Sequence, residues 1–216
     1  MKIVVLGATG NVGSRFITQA VHAGHQVVAF ARTPEAVAVQ PGVTTAKGAA
    51  EDTAALTTAA QDADALLVSI TGSLRDRDFM QRTLPKIIDA AKTAGVARVV
   101  LVSAFGAGDT AQKASGSARL IYRTALRGFL ADKAAADQLL QASGLDWTIV
   151  YPVNLKDAPA LPETAIQPLT GVGSVPGLPT LPFDNVATAL VGIITDPATT
   201  RQRLLITTPK GWKPLR

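Results

Sequence analysis

The chain has no cysteine. That excludes disulfides, thiol nucleophiles and thiolate metal sites. It has only two histidines, His22 and His25, which excludes a histidine-built metal centre, so no metal is expected. Both lie near the end of the first helical segment, where they read as helix-flanking residues rather than catalysts. Aromatic residues make up only 5% of the chain, and the 21 Lys and Arg are dispersed. The net charge of +5 therefore forms no basic stripe interleaved with aromatics, and no nucleic-acid partner is expected. Arg119, Arg123 and Arg127 recur every four residues, the spacing of one helical face. A solvated face is the default reading; a patch that attracts acidic substrates or cofactor phosphates is the sharper one. No stretch approaches the roughly 20 apolar residues of a membrane span. The N-terminal apolar run is too short for a signal-peptide core. The expectation is a cytoplasmic protein with no membrane partner.

What the chain does have is 216 residues, 47% of them hydrophobic, enough to fill the core of one α/β domain over residues 1–216. Strands are predicted at Lys2–Leu6, Gln26–Ala31, Val43–Lys47, Ala65–Ile70, Arg98–Ser103, Trp147–Tyr151 and Arg203–Thr207. Helices are predicted at Asn11–Ala23, Thr53–Ala60, Phe79–Ala94, Ala118–Ser143 and Asn185–Thr195. The early strands are near-continuous aliphatic runs, as expected when helices cover both faces of a parallel sheet. The alternation predicts a Rossmann-like, doubly wound, mostly parallel sheet. Gly95 and Gly144 stand where helix-terminating glycines belong, and Gly128 marks a bend or split in the long fourth helix. Between Pro152 and Pro182 prolines recur and helical periodicity stops. That segment reads as a long loop over a site, with one short strand at Thr164–Leu169, and is too small for a core of its own.

The most informative stretch is Gly7-Ala8-Thr9-Gly10-Asn11-Val12-Gly13, directly behind the apolar run Ile3-Val4-Val5-Leu6. A strand here feeds a glycine turn that opens a helix. Gly7 permits a bend at positive φ. Gly10 has no side chain to keep a pyrophosphate from the main chain, and Gly13 lets helix and strand pack closely. Free N–H groups at the helix start and the helix dipole favour an anion. The spacing is G-x-x-G-x-x-G rather than G-x-G-x-x-G, but the strand–turn–helix context is the one a dinucleotide fingerprint needs. The second strand ends Phe30-Ala31-Arg32-Thr33 with no acid to bond ribose hydroxyls. Arg32 offers a planar fork for a 2′-phosphate, and Thr33 a hydroxyl. These residues predict NADP(H) in preference to NAD(H).

With Val102-Ser103-Ala104-Phe105 after the fifth strand, and Ala142-Ser143-Gly144-Leu145-Asp146-Trp147-Thr148-Ile149-Val150 leading into Tyr151-Pro152, the chain resembles the atypical short-chain dehydrogenase/reductase family. Within it, the likeness is to the NmrA-like and biliverdin reductase B/flavin reductase group, and covers most of the chain. The resemblance implies a Rossmann-like fold binding NADPH. Carried over by position, Gly7, Thr9, Gly10, Asn11 and Val12 would hold the pyrophosphate. Arg32 and Thr33 would take the 2′-phosphate, and Ser69, Ile70, Thr71 and Gly72 would lie under the ribose and pyrophosphate. Ser103 and Ala104 would sit near the nicotinamide, flanked by Tyr151, Pro152, Val153 and Asn154. One departure follows the third strand: Gly48-Ala49-Ala50 stands where the family often has Gly-Asp-Val, so Ala49 and Ala50 offer the adenine only main chain and packing.

Typical members of the wider superfamily use Tyr-x-x-x-Lys, two side chains on one helical face that move a proton to a carbonyl oxygen. The matching segment here is Phe129-Leu130-Ala131-Asp132-Lys133, and a phenyl ring donates no proton. Tyr122 is 11 residues from Lys133, about 16 Å along a single helix. Tyrosine-driven carbonyl reduction is therefore excluded. Hydride transfer to a conjugated ring is not, because solvent can supply the proton. Ser103 and Lys133 are the catalytic candidates: a hydroxyl near the reacting centre, and an ammonium for ribose or substrate. Two functions remain open: an NADPH-dependent reductase acting on a flavin, quinone or tetrapyrrole, or a non-catalytic NADP(H) sensor of the NmrA type. A monomer or a homodimer is expected.

Overall fold

The structure is a computed structural model that describes residues 1–73 and 75–215; Leu74 and Arg216, included in the single-domain expectation, lie outside the described residues. Strands β1 (Lys2–Leu6), β2 (Gln26–Ala31), β3 (Val43–Lys47), β4 (Ala65–Val68), β5 (Arg98–Val102) and β6 (Asp146–Pro152) alternate with helices α1 (Asn11–His22), α2 (Thr53–Ala59), α3 (Phe79–Thr93), α4 (Gly116–Arg123) and α5 (Arg127–Gln141). The short strands β7 (Asn154–Lys156), β8 (Ala165–Pro168), β9 (Val172–Ser174) and β10 (Thr180–Pro182) follow. Helix α6 (Phe183–Thr195), β11 (Gln202–Thr207) and β12 (Lys213–Pro214) complete the chain.

The main sheet has eight strands in the order β3-β2-β1-β4-β5-β6-β11-β8. Every pairing is parallel except β11 with β8. The apolar runs explain the centre: Ile3, Val4 and Val5 of β1 and Leu66, Leu67 and Val68 of β4 are fully buried. Each contributes on the order of 1.5–3 kcal/mol of transfer free energy. Helix α1 packs against α6 on one face, while α2, α3 and α5 pack in a row on the other. This is the predicted doubly wound, Rossmann-like fold. The strand order reverses between β1 and β4, and in such sheets the crevice beyond those carboxyl ends receives ligands.

Two readings of the sequence need correction. The helix predicted over Ala118–Ser143 is two helices, α4 and α5. The break falls at residues 124–126, before Gly128, which lies inside the first turn of α5. At Thr124 the backbone leaves the helical region (φ −111°, ψ −85°), and its hydroxyl donates to Leu120 O at 2.8 Å. The three arginines therefore share no single helical face. Arg119 and Arg123 belong to α4, Arg127 opens α5, and Arg119 donates to the carbonyls of Ala114 (2.9 Å) and Gln112. The second correction concerns the proline-rich stretch, which carries four short strands rather than one. The expected strand at Thr164–Leu169 is β8, on the sheet edge. β7 pairs with β10 and β9 with β12.

The same stretch is tied down at both ends of its path. Arg15 of α1 donates to Asp157 at 2.7 Å and to Asp184 at 3.2 Å, and stacks over Phe183. Lys113 Nζ donates to Val172 O at 2.6 Å, and Ser115 Oγ to Gly177 O at 3.0 Å.

Candidate functional site

The carboxyl edge of the sheet brings the predicted residues together. Since the strands are parallel and ordered as above, the Ala49–Ala50, Arg32–Thr33, Gly7–Val12, Ser69–Gly72, Ser103–Ala104 and Tyr151–Asn154 segments follow one another along one rim. Backbone bonds continue past the strand ends: Ser69 N donates to Leu6 O at 3.0 Å, Ser103 N to Val150 O at 2.9 Å and Phe105 N to Pro152 O at 3.0 Å. Strands β4 and β5 stop at Val68 and Val102, slightly before the predicted Ile70 and Ser103.

The glycine turn is built for close approach. Gly7 has φ +88°, and a Cβ there would lie 2.1 Å from Ser69 O. A Cβ on Gly13 would lie 2.1 Å from Gly7 O, so α1 can rest on the turn only with glycine at that position. Gly10 caps α1 without a side chain, Thr9, Gly10 and Asn11 are exposed, and the first turn of α1 carries no acid. This is an open, positively polarised helix start, and it fits a pyrophosphate. Val12 is buried and has only its main chain to offer. Arg32 and Thr33 are exposed at the end of β2. The next acid along the chain, Glu35, sits in the following 3-10 turn, Pro34–Ala36. Ala49 is exposed and Ala50 packs against the core. A Cβ on Gly72 would strike Phe79, which holds the Ser69–Gly72 segment against the start of α3.

Under the rim at β5 and β6 lies a buried polar cluster. Lys133 Nζ donates to Ile70 O at 3.0 Å and Val102 O at 3.1 Å, bracing the ends of β4 and β5. Burial pulls this ammonium down to about 8, against the opposing pull of Asp137 and Asp132. Ser103 Oγ donates to Asp137 Oδ2 at 3.0 Å. Burial pushes the Asp137 carboxyl up to about 6, opposed by Ser103, Tyr151, Lys133 and Arg203. Its Oδ1 has no hydrogen-bond partner among the described residues. Tyr151 is fully buried; its hydroxyl accepts from Arg203 Nε at 3.0 Å, and the Arg203 guanidinium stacks on its ring. Burial first, and the Asp137 charge second, raise the Tyr151 phenol. Arg203 closes the chain with a bidentate pair to Asp109, Nη1 to Oδ2 at 3.0 Å and Nη2 to Oδ1. At the rim beyond, Asn154 is exposed and its amide donates to Pro179 O at 3.2 Å, while Pro152 and Val153 are buried.

Asp137, Arg203 and Asp109 were not among the predicted site residues. Asp137 stands one helical turn after Lys133 on α5, the one local signal that could have found it. Arg203 and Asp109 lie far apart in sequence and meet only through the fold. Phe129 is half-buried, four residues before Lys133 on α5. Tyr122 is on α4, so its distance from Lys133 is not the rise of one helix. It packs edge-on to Phe105, with ring centroids 6.4 Å apart. It also lines a cavity of about 470 Å³ with Gly106, Arg123, Arg127 and Leu130, and none of the predicted rim residues lines that cavity. Among the described residues, no group of three or more His, Asp or Glu is placed to hold a metal ion. No helix among them is long and apolar enough to cross a membrane.

A family model described as NAD(P)H-binding matches residues 7–197. A curated relative from Bacillus subtilis (strain 168), the uncharacterized sugar epimerase YhfK, is 29% identical over 172 residues, 74% of each chain. The solved anaerobillin reductase ChuY of Escherichia coli O157:H7 has a TM-score of 0.80 at 24% identity, covering 97% of this chain and 98% of its own. A wide-type short-chain dehydrogenase/reductase of Veillonella parvula, solved in complex with NADP, has a TM-score of 0.81 at 16% identity, covering 98% and 96%. At these identities the two structures share the fold of this chain.

Proposed function

Because the chain belongs to the NAD(P)H-binding family, we propose that it is a cytoplasmic NADPH-dependent reductase that passes hydride to a planar conjugated acceptor: a flavin, a quinone or a tetrapyrrole. The observation that carries this reading is Phe129 four residues before Lys133, where a carbonyl reductase needs a phenol. An acceptor whose conjugated ring spreads the incoming charge does not need that phenol. ChuY, which shares this fold, is an anaerobillin reductase, and that supports the same class.

In this reading the main chain of Gly7 and Thr9–Val12 binds the pyrophosphate, and Arg32 and Thr33 bind the 2′-phosphate. Ala49 and Ala50 pack on the adenine side. Ser69–Gly72 lie along the ribose, and Ser103, Ala104 and the Pro152–Asn154 stretch line the nicotinamide end, with the predicted Tyr151 side chain buried beneath them rather than facing it. The reduced nicotinamide, when bound, supplies a hydride. Lys133 holds the ends of β4 and β5 in register and keeps a third N–H for a ribose or substrate oxygen. Ser103 presents a hydroxyl beside the reacting atoms.

Two measurements test the proposal. NADPH oxidation with FMN, a quinone and biliverdin is expected to proceed at an enzyme-limited rate with at least one of them. NADPH is expected to bind at least tenfold more tightly than NADH, since a charge-assisted phosphate contact contributes about 1.5–3 kcal/mol. Arg32→Glu should abolish or reverse that ratio; an unchanged ratio removes Arg32 from the site.

A second reading, an NADP(H) sensor of the NmrA type, is favoured by Lys133, whose ammonium is already engaged by two carbonyls. Tight NADPH binding with no turnover on any acceptor selects it.

A further inference from the structure

The reductase reading leaves one question open within the chain: what supplies the proton that must follow the hydride. A hydroxyl alone is a poor reservoir, and the one at Ser103 is already committed. Its proton points to Asp137 Oδ2, 3.0 Å away, whenever that carboxyl is ionised. In that state Ser103 can accept a hydrogen bond from an acceptor molecule but cannot donate one. When the carboxyl is neutral the polarity reverses: Asp137 donates to Ser103 Oγ, and the Ser103 proton is freed toward the rim.

We propose that Asp137 is a positioning residue and proton reservoir that acts through Ser103, so that Ser103 is a donor only while the Asp137 carboxyl is protonated. The inference rests on the reductase reading of the site. The step balances. The acceptor gains a hydride from the reduced nicotinamide at a ring carbon or nitrogen, and a proton from Ser103 Oγ at the heteroatom that collects the charge. The Asp137 proton replaces the one Ser103 gives up. Asp137 is left ionised and regains its proton from solvent before the next turnover.

Geometry carries the assignment. Asp137 is buried, as are Ser103 and Tyr151, and its Oδ1 has no partner among the described residues. Such an oxygen is costly on a carboxylate and far less so on a neutral acid. The charged and titratable groups around it come from every packed element: Lys133 on its own helix, Tyr151 on β6 and Arg203 on β11, with Asp132 beyond Lys133 and Asp109 beyond Arg203. Burial outweighs the Ser103 and Tyr151 hydroxyls and the two cations, all of which favour the ionised form, and holds the carboxyl at about 6, close enough to neutrality for both forms to be populated in a working enzyme.

The test uses the full chain and begins without any acceptor. The aspartate side-chain carboxyl carbons, labelled with ¹³C, are titrated by NMR, with the Asp137 signal assigned by its loss in Asp137→Asn. A midpoint near pH 6 is expected, and Ser103→Ala should raise it, because it removes a donor to the ionised form. A carboxyl that titrates in the ordinary range below pH 4.5, or one unmoved by Ser103→Ala, overturns the proposal whether or not the protein turns over. With a working acceptor, kcat in the wild type should fall tenfold per pH unit above about pH 6 while KM stays constant. Asp137→Asn should be slower and flat across the same range. Identical pH profiles in the two proteins also overturn it. Wild-type protein that binds NADPH but turns over with none of FMN, quinone and biliverdin refutes the reductase reading instead, and the carboxyl titration then decides the state of Asp137 by itself.

Discussion

At the scale of single residues, two helical glycines separate propensity from packing. Gly13 lies in α1 and Gly192 in α6, and in an isolated helix replacing either by alanine would stabilise by about 1 kcal/mol. A Cβ on Gly192 meets nothing within 4 Å, whereas one on Gly13 would lie 2.1 Å from the Gly7 carbonyl oxygen. Gly192→Ala is therefore expected to raise stability by about 1 kcal/mol. Gly13→Ala is expected to lower it by roughly 1–3 kcal/mol through overpacking and to weaken NADPH binding by displacing α1. Urea denaturation of both variants checks this, and equal shifts in one direction would contradict it. The role of Gly13 was legible in the sequence because strand, turn and helix are contiguous there. The Ser103–Asp137 and Tyr151–Arg203 bonds were not. Each joins residues on different elements, and Asp137 looks in the sequence like any polar position on an amphipathic helix.

At the scale of elements, α3 begins on a carboxylate that another helix provides. Asp132 of α5 accepts from Met80 N at 2.9 Å, Gln81 N at 3.1 Å and Gln81 Nε2 at 3.2 Å. A buried anion at a helix start satisfies orphan N–H groups and meets the positive end of the dipole. Asp132→Ala is expected to cost about 2–3 kcal/mol, more than an exposed cap, because it strands buried donors. Asp132→Asn, which keeps one acceptor oxygen, should cost less. Thermal unfolding of the two variants ranks them, and a loss below 0.5 kcal/mol for the alanine variant would show that α3 does not depend on α5. The same pair of helices shows where element-scale reading stopped. No proline or glycine marks the break between α4 and α5. It comes at Thr124, where the backbone leaves the helical region, and Gly128 drew the expected break a few residues too late. The parallel strands were readable because burial on both faces leaves uninterrupted aliphatic runs. The short strands after Pro152 were not, since they pair across the fold and have too few residues to show a period.

At the scale of the whole molecule, the sheet order places every segment predicted to touch the nucleotide on one edge, centred where the strand order reverses between β1 and β4. That arrangement, with the uncapped and acid-free start of α1 at its middle, is what joins a glycine spacing to a binding site. The most direct measurement is a calorimetric titration of the wild type and Gly10→Val with NADPH, with circular dichroism to confirm that both are folded. Gly10 is at the helix cap with φ −81°, a conformation that valine can adopt, and a Cβ there would lie 3.2 Å from Gly7 O, so the turn must give by a few tenths of an ångström while the fold survives and the added side chain fills the space of the pyrophosphate. The account predicts saturable NADPH binding by the wild type and none by folded Gly10→Val. Equal binding by the two proteins, or none by the wild type, would contradict it.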